Sequence, residues 1–161
     1  MKKWVVIVSI LVLLIIGYVI ASVLVGMDDK KTAEERAVAI ATSEGGLKSV
    51  SDFYLYHGKE VYSVVIGKDD KGINQVLWIP EKLDKNSTIV KKKYSDGVSE
   101  KEIIDKVQQN YNPEEIISVE LGMENKVPLW EVTFKDSEDN LHYYYYDFET
   151  GDKTKTTIKG I

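Results

Sequence analysis

Cysteine is absent from the 161 residues, and that absence removes disulfide staples, thiolate zinc sites and cysteine nucleophiles together. Whatever folds here is held by core packing. Histidine is nearly as scarce: there are two, His57 in an expected turn and His142 in an expected strand, and neither setting assigns a functional role. No glycine-rich phosphate loop occurs. The nearest segment, Lys68-Asp69-Asp70-Lys71-Gly72, offers two carboxylates where a phosphate needs amides. Ser95-Asp96-Gly97 resembles a transpeptidase motif, but no serine is followed three places on by lysine, and Lys-Thr-Gly is missing. It reads as a turn ahead of a capped helix. Asp136-x-Glu138-x-Asn140 opens like a calcium loop, yet Leu141 stands where glycine is required, and the later positions fall inside a strand. A hairpin turn is the expectation. No catalytic residue, cofactor site or metal ligand is assigned, and no small-molecule substrate is inferred.

A basic surface is missing too. The formal net charge is -5; Lys2 and Lys3 are the only charged side chains ahead of Asp28, so the remainder carries -7. An acidic body repels nucleic acid. Lys91-Lys92-Lys93 is too short to reverse this and reads as a solvated edge strand or a linker.

Charge is absent altogether from Val5 to Gly26, a run of Val, Ile and Leu. About 22 residues of helix at ~1.5 Å each span ~33 Å, the thickness of a bilayer core. Trp4 stands where an interfacial anchor belongs. A cleaved signal would have a shorter apolar stretch and a small-x-small site, which Ala21-Ser22-Val23-Leu24 does not supply. The expectation is an uncleaved single-pass anchor, with Lys2 and Lys3 holding the N-terminus inside and the rest extracytoplasmic.

Two capping boxes follow. Thr32-x-x-Glu35 and Ser99-x-x-Glu102 each predict a helix start, the second with Val98 and Ile103 as a hydrophobic staple. The first helix is expected to bury Ala33, Ala37, Ile40 and Ala41 and to stop at Gly45-Gly46. The second buries Ile103, Val107 and Tyr111, with Ile104 at the margin, and stops at Asn112-Pro113. Strands are expected over Val50–Tyr56, Val61–Ile66 and Ile73–Ile79, then over Ile116–Leu121, Leu129–Phe134 and Leu141–Phe148. Placing Tyr62 on Trp130 also places Val64 on Val132, Ile66 on Phe134 and Trp78 on Tyr146, so the chain reads as two copies of helix plus antiparallel meander with a period of ~68 residues. Each helix covers one sheet face and the other stays wet. The fold class is therefore α+β. Residues 1–27 form the cytoplasmic tip and anchor, and 28–95 and 96–161 form the two domains.

Tyr143-Tyr144-Tyr145-Tyr146-Asp147-Phe148 stands out. Alternation sends Tyr144, Tyr146 and Phe148 to the core and leaves Tyr143 and Tyr145 on the opposite face. That face either packs on the first repeat or forms an aromatic platform for a protein partner. Tyr143 and Tyr145 are the candidate partner-binding residues.

Several segments carry a family resemblance. Val76-Leu77-Trp78-Ile79-Pro80-Glu81-Lys82, Asp96-Gly97-Val98-Ser99-Glu100-Lys101, Leu129-Trp130-Glu131-Val132-Thr133-Phe134 and Tyr146-Asp147-Phe148-Glu149-Thr150-Gly151 resemble, in wording and order, the TseB-like (YpmB-type) cell wall elongation regulators of Gram-positive bacteria. The second repeat alone resembles a PepSY domain. The resemblance implies tandem PepSY-like (cystatin-like) domains held outside the cell membrane. It implies a non-catalytic regulator of peptidoglycan synthesis during elongation, partnered with a class B penicillin-binding protein. It carries over no catalytic residue. The alternative is a PepSY-type inhibitor or chaperone of an extracytoplasmic protease. Two departures concern local turns: the Asp-Asn pair at 139–140 and the polar stretch 154–159.

Overall fold

The computed structural model describes residues 2–83 and 87–159, with side chains described at 4, 10–20, 22, 30–83 and 87–154. Two compact units form, Met1–Arg36 and Ala37–Ile161. The first is helical, built from α1 (Lys2–Ser43) up to Arg36. The helix start expected at Thr32 is corrected, since Thr32 lies inside α1. A capping box acts on amides that have no carbonyl one turn back, and within a running helix every amide already has one. The expected membrane span, Val5–Gly26, falls partly on residues 5–9, 21 and 23–26, outside the described side chains. Among the described residues no helix is long and apolar enough to cross a membrane. Every side chain from Ile10 to Ile16 is exposed.

The second unit holds two antiparallel meanders. β1 (Leu47–His57), β2 (Val61–Asp69), β3 (Asn74–Pro80) and β4 (Val90–Lys93) form one four-stranded sheet in the order β1-β2-β3-β4. A short 3-10 turn (Tyr94–Asp96) and α2 (Glu100–Tyr111) lead into β5 (Glu115–Glu124), β6 (Val127–Lys135), β7 (Leu141–Asp147) and β8 (Lys153–Lys159), ordered β5-β6-β7-β8. The α+β class and all six expected strands are present. Each sheet has a fourth strand at an edge: β4, where the lysine run 91–93 is the edge strand rather than a linker, and β8, which was not expected. Both are rich in lysine, which keeps an edge from recruiting other chains and erases the apolar alternation that would reveal a strand.

The helix ends follow their residues. Ser99 caps α2 with the reciprocal box complete, and Asn112 closes it in the left-handed conformation. The end of α1 is bound off by Gly45 N–H donating to the Ile40 carbonyl at 3.0 Å, and Gly46 turns the chain at φ +71.

The two β2–β3 and β6–β7 hairpins reveal the repeat. Asp69 Oδ1 accepts from the amides of Lys71 and Ile73, and Oδ2 accepts from Gln75 Nε2. Asp136 Oδ1 accepts from the amides of Glu138 and Asn140, and Oδ2 meets His142 Nε2 at 2.7 Å. Gly72 and Asp139 both take a positive φ. Every equivalence is 67 positions apart, one fewer than side-chain likeness suggested, and a one-residue shift in a strand exchanges its faces. Val65, Leu77 and Ile79 thus pack on Ala37 and Ala41 of α1, as Val132, Tyr144 and Tyr146 lie on the α2 side. Tyr62, Val64 and Trp78 lie on the opposite face.

That opposite face of the first sheet is not wet. Tyr56, Tyr62, Val64, Val76 and Trp78 join Ile103, Val107, Leu121, Trp130, Val132 and Phe148 in one buried cluster spanning both repeats. The correction has a physical reason: neither sheet with one helix encloses enough apolar surface alone. Trp78 meets Phe148 edge-on at 5.4 Å, and the Trp130 indole N–H donates to the Val98 carbonyl at 2.9 Å.

Candidate functional site

Alternation divides the second sheet. Towards α2, Tyr111 stacks on Phe134 with ring centroids 5.9 Å apart and meets Tyr144 edge-on at 4.5 Å. On the other face, Glu120 of β5 stands directly opposite Glu131 of β6. Glu131 in turn stands opposite Tyr145 of β7, and Thr133 opposite Tyr143. Like charges facing each other across a ladder are destabilising, so this face is not chosen for stability.

The first repeat closes one end of it. The Tyr56 ring lies against β5 at Gly122, where any β-carbon would enter the ring. Tyr54 Oη accepts the Leu121 amide at 2.7 Å, covering a bond-seeking group of the β5 edge. Glu124 Oε1 accepts the Lys59 amide at 3.0 Å. Tyr56 is only 2% exposed, and its hydroxyl faces the Glu131 carboxylate. Burial drives that hydroxyl far above the ordinary phenol value, and Glu131 adds to it through its charge and a hydrogen bond.

Glu131 is half-buried. Desolvation first, then Glu120 and Glu124, raise its carboxyl above the ordinary value, while the hydroxyls of Tyr56 and Tyr145 act in the opposite sense. Tyr145 is pushed up to about 12, by burial and then by Glu131. Of the two tyrosines picked from sequence, Tyr145 is half-buried and packs against the shared core, and Tyr143 is half-buried beside it on the same face. The structure brings both to one surface and adds Glu120, Glu131 and Tyr56. Those three escape sequence reasoning because nothing short of strand register places 120 against 131.

Elsewhere, the Asp136 hairpin is a closed turn. The His142 contact holds the Asp136 carboxyl well below the usual range, with the Asn140 and Glu138 amides contributing. His142 stacks on Phe134 at 4.9 Å. Among the described residues no group of three or more His, Asp or Glu side chains is arranged to hold a metal ion. Two concavities lie away from the tyrosines: one of about 530 Å³ by Lys59, Tyr62, Pro80, Lys82 and Lys126, and one of about 400 Å³ between α2 and β5 by Ile104, Gln108, Ile116 and Ile117.

Paired helix-and-meander units joined through one core, with the second closing on the Asp147–Gly151 turn, define a tandem PepSY-type protein. The family model described as "Peptidase propeptide and YPEB domain" matches residues 97–157, and the one described as "Cell wall elongation regulator TseB-like domain" matches residues 36–80. A Bacillus subtilis (strain 168) protein described as "Probable cell wall elongation regulator TseB" is 37% identical over 129 residues, 78% of this chain and 76% of that protein. The solved structure of the YpmB protein from Bacillus subtilis is similar with a TM-score of 0.70 and 35% identity, covering 76% of this chain and 94% of that one. The chain belongs to the TseB-like family.

Proposed function

We propose that this protein is a membrane-anchored, extracytoplasmic regulator of cell wall elongation that works by binding another protein, a class B penicillin-binding protein being the partner implied by the resemblance. The observation that carries this reading is the kinship with the probable Bacillus regulator along most of both chains. Anchoring is supported by the uncharged run Val5–Gly26 and by the apolar side chains exposed from Ile10 to Ile16, an all-round apolar helix surface suited to lipid. In this reading residues 1–27 are tip and anchor, 28–95 and 96–161 are the two domains, and Lys2 and Lys3 keep the N-terminus inside. Tethering favours a modest interface, because both partners share one plane and a raised effective concentration. His142 is committed to Asp136 and Phe134, and His57 is exposed.

Deleting the chain is expected to alter cell length, and in-cell cross-linking is expected to capture a membrane penicillin-binding protein. Normal length with no such capture would refute the reading. Accessibility of a C-terminal tag to external protease, against protection of an N-terminal one, tests orientation. The PepSY match over 97–157 favours one second reading, an inhibitor or chaperone of an extracytoplasmic protease. That reading predicts inhibition by the full chain at near-stoichiometric dose.

A further inference from the structure

We propose that the open half of the β5 edge, Glu115 to Val119, pairs with an extended basic segment of a protein partner, which sets an apolar side chain into the groove between β5 and α2. This deepens the binding reading above and rests on it for the existence of a protein partner. Three observations carry it.

The first is the state of the edge. Among the described residues β6 is the only strand paired with β5. Leu121 N–H donates to Tyr54 Oη at 2.7 Å, so it points away from β6. Pro128, which has no N–H, stands opposite Met123, and its carbonyl accepts the Phe148 amide on the far side of β6. Both facts fix one parity: odd-numbered residues of β5 from 119 to 123 turn their backbone groups outward. The Val119 amide and carbonyl therefore face out, and among the described residues neither has a partner. Such groups are a template for another strand. The other edges are better guarded. Lysines populate β4 and β8, and β1 carries two bulges where β5 carries one.

The second is the groove of about 400 Å³ beside that edge, lined by Ile104, Ile116, Ile117 and Val119. Ile117 is 48% exposed, and neither Ile117 nor Ile104 belongs to a buried cluster. A strand added to an edge gains main-chain hydrogen bonds and sends every second side chain to one face, here the face that holds the groove.

The third is charge, which selects the occupant. Glu100 and Glu114 are the only charged residues lining the groove, and Glu115 follows on β5. Lys101 and Lys135 are held by Asp105 and Asp139. A second copy pairing through the same edge would bring these glutamates towards their own counterparts, which is destabilising across a ladder. A strand bearing lysine or arginine around its apolar residue is complementary.

The test titrates the isotopically labelled full chain, held in phospholipid nanodiscs, with acetyl-Thr-Lys-Thr-Ile-Thr-Lys-Thr-amide at low salt. Saturable backbone amide shifts centred on 116–119 are expected, with hydrogen exchange of the Val119 amide slowed at least fivefold. Two counterparts should bind at least fivefold more weakly. One replaces both lysines by glutamate. The other is N-methylated at the isoleucine and the threonine after it, which blocks both edges of the peptide. Ile117→Ser should weaken binding at least fivefold, whereas Val127→Ser, at an equally exposed apolar position, should change it less than twofold. Thermal unfolding checks each variant, and Ile104→Ala serves should Ile117→Ser not fold. A lack of saturable shifts, equal binding of either counterpart, or equal weakening by Val127→Ser would overturn the proposal. So would shifts at 116–119 that grow with protein concentration in the absence of peptide, the result expected of a second copy. The deletion phenotype is read separately. Peptide binding with unchanged cell length would sink the regulator and leave the edge site; altered cell length without peptide binding would sink the edge site alone.

Discussion

A β-carbon at Gly122 would enter the ring of Tyr56, and Tyr56 is too deeply packed to move aside. Gly122→Ala is therefore expected to destabilise the fold by about 1–3 kcal/mol, seen as a lower urea midpoint. Glu131 argues the other way. Its folded carboxyl is raised, so its cost to folding grows as pH rises above the ordinary carboxylate value, is complete above the folded value, and is absent where the group is protonated in both states. Glu131→Gln is thus expected to raise the melting temperature at pH 7 and leave it unchanged near pH 3. Asp136 has the opposite sign. Its carboxyl is lowered, so its contribution is present above the ordinary carboxylate value and fades as pH falls through the folded one. Asp136→Asn should cost stability at pH 7, and the gap to the parent should narrow steadily below pH 4.

At the scale of elements, α2 was legible in advance because its signals are local. Ser99 and Glu102 satisfy each other's amides within one turn, and Ile103 and Val107 repeat at helical spacing. Ser99→Ala should cost about 1 kcal/mol. Ile103→Ala, at a position with no exposure, should cost about 2–5 kcal/mol, and Ile104→Ala at the half-exposed margin much less; chemical denaturation ranks all three. The first helix misled because Thr32-x-x-Glu35 is equally local, and a capping box cannot report whether the chain before it is already helical. β4 stayed open between an edge strand and a linker, and β8 went unassigned, for a related reason. An edge strand such as Lys153–Lys159 is shaped by what it must avoid, and its lysines and threonines hide the period of two.

For the whole molecule, the shared cluster makes the sheets interdependent. Trp78 belongs to the first sheet yet touches Phe148 beyond the last residue of β7. Residues 37–161 are therefore expected to unfold in one transition, with near-ultraviolet and far-ultraviolet dichroism superimposing. Trp78→Ala should lower stability by about 3–5 kcal/mol and affect signals from both sheets. Composition, charge, the apolar run and the alternation in Leu129–Phe134 and Leu141–Phe148 determined the class, the strand number to within two, and the helix-facing residues of the second repeat, because those properties are carried by residues near one another in the chain. Tertiary structure alone decided the 67-residue register, the burial of the first sheet's second face, and the meeting of Tyr56, Glu120 and Glu131. These depend on pairing between distant strands, where a slip of one residue exchanges inside and outside, and no local pattern records which slip the packed core selects.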